Sequence, residues 1–471
     1  MSKAFDAGLQ GSAREPLLNW LRNIIAAHIF FLGCAAFSAK QGVAAADRPL
    51  GPNEAMTDDE VLLTPGVLLG KRLFDDTDLS EPRGLACSSC HNPKTAYRGN
   101  NHSPIAAIAA GSRPNLLGTR KTPSILYMSY SPPFSFAQRT NDITGLPEIV
   151  PVGGQFWDGR ARDLQEQFEG PLLNPREMNN PSKQSVVDKV RNAKYAPLVR
   201  AVFGPDIFDD PRVFEKLASA VDSFEASARF KPFSSKFDDW LEGKLLLSDQ
   251  EWLGFQLFID KQKGNCLSCH DGGGADVSES SAAKSVAPGS AAALSRNPKS
   301  WLFTDFTYDV LGAPRNMQIP ENAAPSYADL GLCKRPELER FAPRGFDIES
   351  LCGAFKVPSL RNVAVSSPYM HNGVFTTLRE AVAFYFTRDT NPERWYPKAS
   401  DGTIAKYNDL PEKYRPNVNV RQVPYDRKPG EYPRATDTEI DAITAFLGTL
   451  TDRQFVSAEP SQRGAGARGD P

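Results

Sequence analysis

Cys87-Ser-Ser-Cys90-His91, repeated further on as Cys266-Leu-Ser-Cys269-His270, decides how the rest of the chain is read. Cys-X-X-Cys-His is the attachment signal for c-type haem. The two cysteines form thioethers to the porphyrin vinyl groups, and the histidine that follows binds the iron from one side. Two copies therefore predict two covalently bound haem c groups. Two Cys-X-X-Cys pairs would also suit a four-thiolate zinc site or a redox-active dithiol. Neither needs a histidine directly after the second cysteine in both copies, so haem is the better reading.

The N-terminus says where attachment takes place. Ile24 to Phe37 is an apolar run preceded by Arg14 and Arg22 and followed by Ala44-Ala45-Ala46, the pattern of an export signal with a small-residue cleavage site. This run is short of the ~20 apolar residues a membrane helix needs, and no later segment approaches that length. The expectation is a signal peptide over 1–46 and a periplasmic mature chain without a membrane span. An uncleaved anchor and lipid attachment at Cys34 stay open. The net charge is −2, and losing the four basic and two acidic residues of 1–46 moves it to −4, which gives no sign of a nucleic-acid partner. Of seven cysteines, Cys34 lies in the signal and four hold haem. That leaves Cys333 and Cys352, read as a disulfide in an exported protein, with two buried free thiols as the alternative.

An internal repeat surrounds the two motifs. Leu69-Gly70-Lys-Arg-Leu73-Phe74 precedes the first and Leu253-Gly254-Phe-Gln-Leu257-Phe258 the second. Thr122-Pro123-Ser124-Ile125 is echoed by Val357-Pro358-Ser359-Leu360, and Trp157-Asp158-Gly159 with Leu164 by His371-Asn372-Gly373 with Leu378. The predicted fold is mainly α, with two cytochrome c-like haem domains related by internal duplication and long loops, as 38 prolines require. The expected boundaries are 47–245 for the N-terminal domain and 246–455 for the C-terminal one. The stretch 272–298, rich in Ser, Ala and Gly, reads as a mobile insertion, and 456–471 as a disordered tail. Asp210-Pro211 ahead of Val213, Phe214, Leu217, Val221 and Phe224 predicts a capped amphipathic helix, and Thr436 with Glu439 a capping box.

The repeat also asks what faces each iron on its open side. Fourteen residues after Trp157 stands Pro171, and fourteen after His371 stands Tyr385. Proline cannot coordinate iron, whereas a tyrosine phenolate can. The N-terminal haem is thus expected to have an empty sixth position suited to a small molecule such as peroxide, and the C-terminal haem to have its sixth position filled.

These residues resemble the bacterial dihaem cytochrome c peroxidase / MauG family over nearly the whole mature chain. The resemblance is carried by Gln155-Phe-Trp-Asp-Gly-Arg160, Asp163-Leu-Gln-Glu-Gln167, Gly170-Pro-Leu-Leu-Asn-Pro-Arg-Glu177-Met178, Pro358-Ser-Leu-Arg-Asn362 and Pro368-Tyr-Met-His-Asn-Gly373. It implies that the first haem is the peroxide site and the second an electron-transfer group. It also implies that Trp157 lies between them as an electron bridge, that Gln167 and Glu177 line the distal pocket of the first, and that Glu177 is the acid/base group. Three departures qualify this. Tyr385 stands where peroxidases of this kind have methionine, as in MauG, and an anionic oxygen ligand favours oxidised iron. His102 is the only histidine between the first motif and Trp157, so it is the sole candidate there for a resting ligand; an exposed loop histidine is the simpler reading. Lys121 replaces an asparagine that binds interdomain calcium in the family, and with Ser366 and Pro368 still able to offer oxygens the question of calcium stays open. MauG relays holes through a surface tryptophan near its second haem; here that position is Gly264, and Trp301, Trp395 and Tyr396 are substitutes as readily structural as functional.

The expected function is that of a peroxide-dependent oxidoreductase of MauG type, in which oxidising equivalents are shared by both haems and used to oxidise a protein substrate or other periplasmic partner. The alternative is a cytochrome c peroxidase reducing hydrogen peroxide with electrons from a small c-type cytochrome.

Overall fold

The computed structural model describes residues 62–113, 115–141, 143–271 and 301–456, all within one compact unit. The expected signal peptide with Cys34, the 272–298 insertion and all of the expected tail but Val456 lie outside the described residues.

Two helix crossings frame the molecule. α1 (Pro65–Phe74) starts on Pro65, whose fixed φ suits a first helical turn, and buries Leu68, Leu69, Leu73 and Phe74. It crosses the long helix Val213–Glu225 at Gly70, where a Cβ would lie 2.0 Å from the Ala220 carbonyl oxygen. The second crossing repeats this. Helix Asp249–Ile259 meets helix Asp437–Gly448 at Gly254, where a Cβ would lie 1.9 Å from the Ala442 carbonyl oxygen and 2.8 Å from Phe446 Cβ. Only glycine lets the backbones approach so closely. Between and after these come α2 (Cys87–Cys90), α3 (Leu164–Gln167), α4 (Glu169–Leu173), α5 (Lys183–Arg191), α6 (Ala196–Phe203), α7 (Val213–Glu225), α8 (Lys236–Leu241), α9 (Asp249–Ile259), α10 (Leu338–Phe341), α11 (Leu378–Thr387) and α12 (Asp437–Gly448).

The fold is mainly helical, with two small antiparallel ribbons among the described residues. β1 (Ser135–Thr140) pairs with β2 (Pro147–Val152), from Ser135 opposite Val152 to Thr140 opposite Pro147. β3 (Tyr308–Asp309) pairs with β4 (Phe355–Lys356). The Thr436–Glu439 capping box forms as the sequence predicts, with Glu439 N donating to Thr436 Oγ1 at 3.3 Å and Thr436 N to Glu439 Oε2 at 2.8 Å. The cap predicted for α7 does not. That helix starts after Arg212 with no side-chain cap, because the Asp210 carboxylate is turned to the Arg212 N–H and to Lys216 Nζ. Cys333 and Cys352 are bonded as a disulfide.

The Pro358-Ser-Leu-Arg-Asn362 motif ties distant segments together. Arg361 makes two 2.8 Å bonds to Asp238, with both side chains almost fully buried. Asn362 Nδ2 donates to Asp452 Oδ2 at 2.7 Å, and the Tyr127 hydroxyl, from the other half, donates to the same oxygen at 2.7 Å. A buried charge can be kept only with such partners.

Candidate active site

Each Cys-X-X-Cys-His folds as a single turn. The first is α2, closed by His91 N–H donating to the Cys87 carbonyl at 2.8 Å. The second is a 3₁₀ turn closed by His270 N–H on the Cys266 carbonyl, also at 2.8 Å. The histidine rings are oriented alike. His91 Nδ1 lies 3.1 Å from the Tyr97 carbonyl and His270 Nδ1 3.0 Å from the Phe303 carbonyl. Pro123 and Pro358, the prolines of the repeat, each present a further backbone acceptor to the same histidines. A carbonyl can only accept, so Nδ1 carries the hydrogen and Nε2 keeps its lone pair for a metal. Burial lowers the proton affinity of His91, and takes that of His270 down to about 4, so both are neutral imidazoles at pH 7.

A cavity of about 680 Å³ opens between the two turns. It is lined by all six motif residues Cys87, Cys90, His91, Cys266, Cys269 and His270, and also by Trp157, Gln167, Pro171, Glu177 and Tyr385. Every site residue expected from the sequence thus meets in one space. The residues fit haem c, since each end offers two thiols and one neutral imidazole. Among the described residues no three His, Cys, Asp or Glu side chains gather as a metal cluster, so a four-thiolate zinc site is not formed. Nor do the cysteines suit dithiol exchange, because burial pushes the Cys90 and Cys266 thiols up to about 12.

α3, α4 and the turn after them line the cavity with Gln167, Pro171 and Glu177. Glu177 Oε1 accepts from Asn174 Nδ2 at 2.6 Å. Burial pushes the Glu177 carboxyl above its ordinary range, while the nearby Arg160 and the Asn174 bond pull it back. The turn is held by Ser112 N–H on the Glu177 carbonyl at 2.7 Å, and a Cβ on Gly111 would lie 2.3 Å from the Arg176 carbonyl oxygen. Trp157 is fixed at both ends of its residue. Its Nε1–H donates to the Lys121 carbonyl at 2.8 Å, and its own carbonyl accepts from Lys356 N–H at 2.8 Å. Tyr385 projects from α11 into the cavity against Tyr425, the rings 5.7 Å apart and tilted by 32°. Burial raises its phenol above the ordinary range, with Cys269 and Asp309 adding to the rise.

Lys121 Nζ donates to the Ser366 carbonyl at 2.6 Å. Arg98 reaches the neighbouring carbonyls, donating from Nε to Val365 at 2.6 Å and from Nη1 to Ser367. Three successive carbonyls of one loop are therefore satisfied by two cationic side chains. His102 is exposed, at φ 57°, and does not line the cavity. Trp395 donates to Thr387 Oγ1 at 3.0 Å, and the Tyr396 hydroxyl to the Gly312 carbonyl at 2.7 Å.

Sequence reading missed three buried features of the site. Lys356 Nζ donates to the Gly154 carbonyl at 2.7 Å, and no local motif announces it. Arg120 bridges Asp158 and Asp329 with bonds of 2.6 Å to each. His371, the repeat counterpart of Trp157, lines the same cavity and stacks on Phe355 at 3.6 Å, so its place in the repeat was the available signal.

Residues 64–245 match the family described as di-haem cytochrome c peroxidase. The methylamine utilization protein MauG of Paracoccus denitrificans is 34% identical over 392 residues, covering 82% of this chain and 88% of that protein. The chain belongs to the di-haem cytochrome c peroxidase and MauG family of oxidoreductases. Within it, the cytochrome c551 peroxidase of Nitrosomonas europaea is 28% identical over 369 residues, covering 77% of this chain and 84% of its own. The crystal structure of the diheme peroxidase BthA from Burkholderia thailandensis is similar with a TM-score of 0.72 at 38% identity, covering 86% of this chain and 90% of that one. No helix among the described residues is long and apolar enough to cross a membrane.

Proposed function

We propose that this protein is a periplasmic enzyme in which hydrogen peroxide reacts on the N-terminal side of the cavity and the oxidising equivalents, shared with the C-terminal side, are used to oxidise a partner. The observation that carries this reading is the asymmetry of one cavity. The same cavity is lined by Pro171, whose side chain has no atom to offer a metal, by Gln167 and by the acid/base candidate Glu177, whose charge acts on Cys90 of the first motif, and by the phenol of Tyr385, on which Cys269 and Cys266 of the second motif act. Haem c, held through Cys87, Cys90 and His91 and through Cys266, Cys269, His270 and Tyr385, would supply the iron that takes up peroxide and the redox centre that shares its oxidation.

The chain's own residues do the rest. Glu177 takes the proton from the near oxygen of hydrogen peroxide and returns it to the far oxygen, which leaves as water. Gln167 donates a hydrogen bond that orients the peroxide and cannot itself shuttle protons. Trp157, held at its indole N–H and its carbonyl, offers an oxidisable ring between the two sides. A division into haem domains 47–245 and 246–455 by duplication is supported by the matching glycine crossings at Gly70 and Gly254 and by the matching histidine carbonyl pairs. Calcium has no part in this proposal, because Arg98 and Lys121 already serve the carbonyls at 365–367.

The test is to add one equivalent of hydrogen peroxide to the fully oxidised protein and follow both ferric haem signals by low-temperature EPR. Simultaneous loss of the two signals supports shared oxidation. A protein that responds only after partial reduction, and then turns over peroxide with a reduced small cytochrome, is the conventional peroxidase instead.

A further inference from the structure

The two glycine crossings put equivalent helix residues beside the two haem motifs. Gly70 meets Ala220 and Phe224 of α7, and Gly254 meets Ala442 and Phe446 of α12. The same offset sets Val221 level with Ile443 and Glu225 level with Leu447, and all four line the cavity. Leu447 belongs to the apolar cluster against which Cys266 packs, and no carboxylate among the described residues acts on that thiol. Its counterpart in the first half is a carboxyl. Glu225 is 8% exposed, and after burial its charge is the largest influence raising the Cys87 thiol. It has no hydrogen-bond or ion-pair partner among the described residues, and burial, with Asp222 adding, pushes it up to about 8. Other carboxylates lining the cavity are provided for: Glu177 accepts from Asn174 Nδ2 at 2.6 Å, and Asp309 from the Val310 N–H at 2.8 Å and Asn419 Nδ2 at 3.2 Å. Charged and titratable groups on the segments packed against α7 are turned elsewhere. Lys71 of α1 pairs at 2.9 Å with Asp75 at its end, Glu166 of α3 accepts from the Arg162 N–H, Lys189 of α5 bonds Asn180 and the Ser80 carbonyl, and Tyr130 lies under Lys231.

A carboxylate without a partner is costly in a low-dielectric site unless a positive charge stands near it. Haem attached at Cys87 supplies such a charge in one oxidation state only, because ferric iron in a porphyrin dianion leaves one positive charge and ferrous iron leaves none. We propose that Glu225 is the charge-compensating group of the N-terminal haem, ionised while that haem is ferric and protonated once it is reduced. The step balances: one electron from a one-electron donor enters the iron, one proton from solvent joins a Glu225 carboxylate oxygen, and no other bond changes. The negative charge of Glu225 favours oxidised iron and so holds the first haem ferric against a donor, whereas Leu447 adds no charge at the second. This requires haem c at the first motif and goes beyond the peroxide reading.

The experiment is a redox titration of the full dihaem protein with mediator dyes from pH 5 to 10, each haem being followed by its own ferric EPR signal in samples frozen at set potentials. In the parent the N-terminal haem is expected to become harder to reduce as pH rises, by up to about tenfold in its reduction equilibrium per pH unit, or about 59 mV. E225Q keeps the volume and is neutral at every pH, so its N-terminal haem should stay at the parent's low-pH potential without that slope. E225L, which copies the second half, should do the same where glutamine disturbs the pocket. The C-terminal haem, unchanged in both variants, reports an intact fold. E177Q should retain the slope. A parental N-terminal potential independent of pH overturns the assignment without any variant, and so does a slope that survives in E225Q or disappears in E177Q instead. None of these outcomes touches the peroxide reading, which stands or falls on whether peroxide changes the ferric signals.

Discussion

Replacing Glu177 by glutamine tests the acid/base assignment with the least disturbance, since Gln matches Glu in volume and can still meet Asn174, now 2.6 Å from Glu177 Oε1. What it cannot do is exchange a proton with peroxide. A positioned acid/base group contributes about 10²–10⁴-fold, so E177Q should react with peroxide slower by that factor, or about 2.7–5.5 kcal/mol in barrier. The pH dependence carries the sharper information. Glu177 acts as base only when ionised, and burial holds its carboxyl above the ordinary carboxylate range against the pull of Arg160. The second-order rate constant should therefore fall as pH drops through that raised value. E177Q should lose this acid limb, and N174A, lacking the bond that favours the ionised form, should move it to higher pH. Stopped-flow bleaching of the ferric haem by peroxide, from pH 4 to 9, measures all three. An E177Q enzyme slowed by less than tenfold, with its acid limb intact, would show that the proton goes elsewhere.

Tyr385→Phe removes the phenolic oxygen and keeps the ring against Tyr425; the EPR signal of the C-terminal haem is expected to change while that of the N-terminal haem persists, and two unchanged signals would rule Tyr385 out as a ligand. Added calcium or a chelator should leave the rate of peroxide reaction within twofold, because donors of Arg98 and Lys121 occupy the carbonyls of Val365, Ser366 and Ser367; a large chelator effect would place a cation there after all. Gly70→Ala should destabilise by about 1–3 kcal/mol or more, since its Cβ would strike the Ala220 carbonyl. In the same helix Gly66 has nothing within 4 Å, so Gly66→Ala should be neutral or stabilising by up to about 1 kcal/mol; equal urea midpoints for the two variants would contradict the crossing.

Much of the candidate site was legible because Cys-X-X-Cys-His, the attachment signal for c-type haem, is a local signature. Cys-X-X-Cys-His needs five adjacent residues on one turn, and both copies form that turn. The repeat was informative for the same reason: Gly70 and Gly254, and Pro123 and Pro358, do the same job twice, so each copy annotates the other. The parts that escaped depend on long-range partners. Lys356 reads as an ordinary surface lysine until β4 brings it under Gly154, and Arg120 as a loop cation until it meets Asp329, 209 residues on. Asp210 failed as a helix cap for the opposite reason. Its sequence context was right, but Lys216, one turn further on, and the Arg212 N–H took its carboxylate first.

Two buried amines flank Trp157, and their cost can be measured. Lys121, whose carbonyl takes the indole N–H, and Lys356, whose N–H meets the Trp157 carbonyl, are each pushed by burial from 10.5 to about 7, with Arg98 adding to the shift at Lys121 and Asp158 opposing it at Lys356. The folded protein therefore binds these protons more weakly than the unfolded chain does. Between about pH 7 and 10.5 the unfolded chain holds protons the folded one has released, so this contribution to stability rises with pH; below 7 both states are protonated and the penalty is constant. Lys356→Met keeps the length and discards the charge, at the loss of one 2.7 Å bond to Gly154. K356M should gain most on the parent at pH 6, and the gap should close as the pH approaches 10, read from urea unfolding of the dihaem protein. A gap that does not change with pH would mean that the ammonium is solvated after all. A closing gap would mean that the fold tolerates the unfavourable charge of Lys356 in order to bond the Gly154 carbonyl, while the Lys356 N–H holds the Trp157 carbonyl.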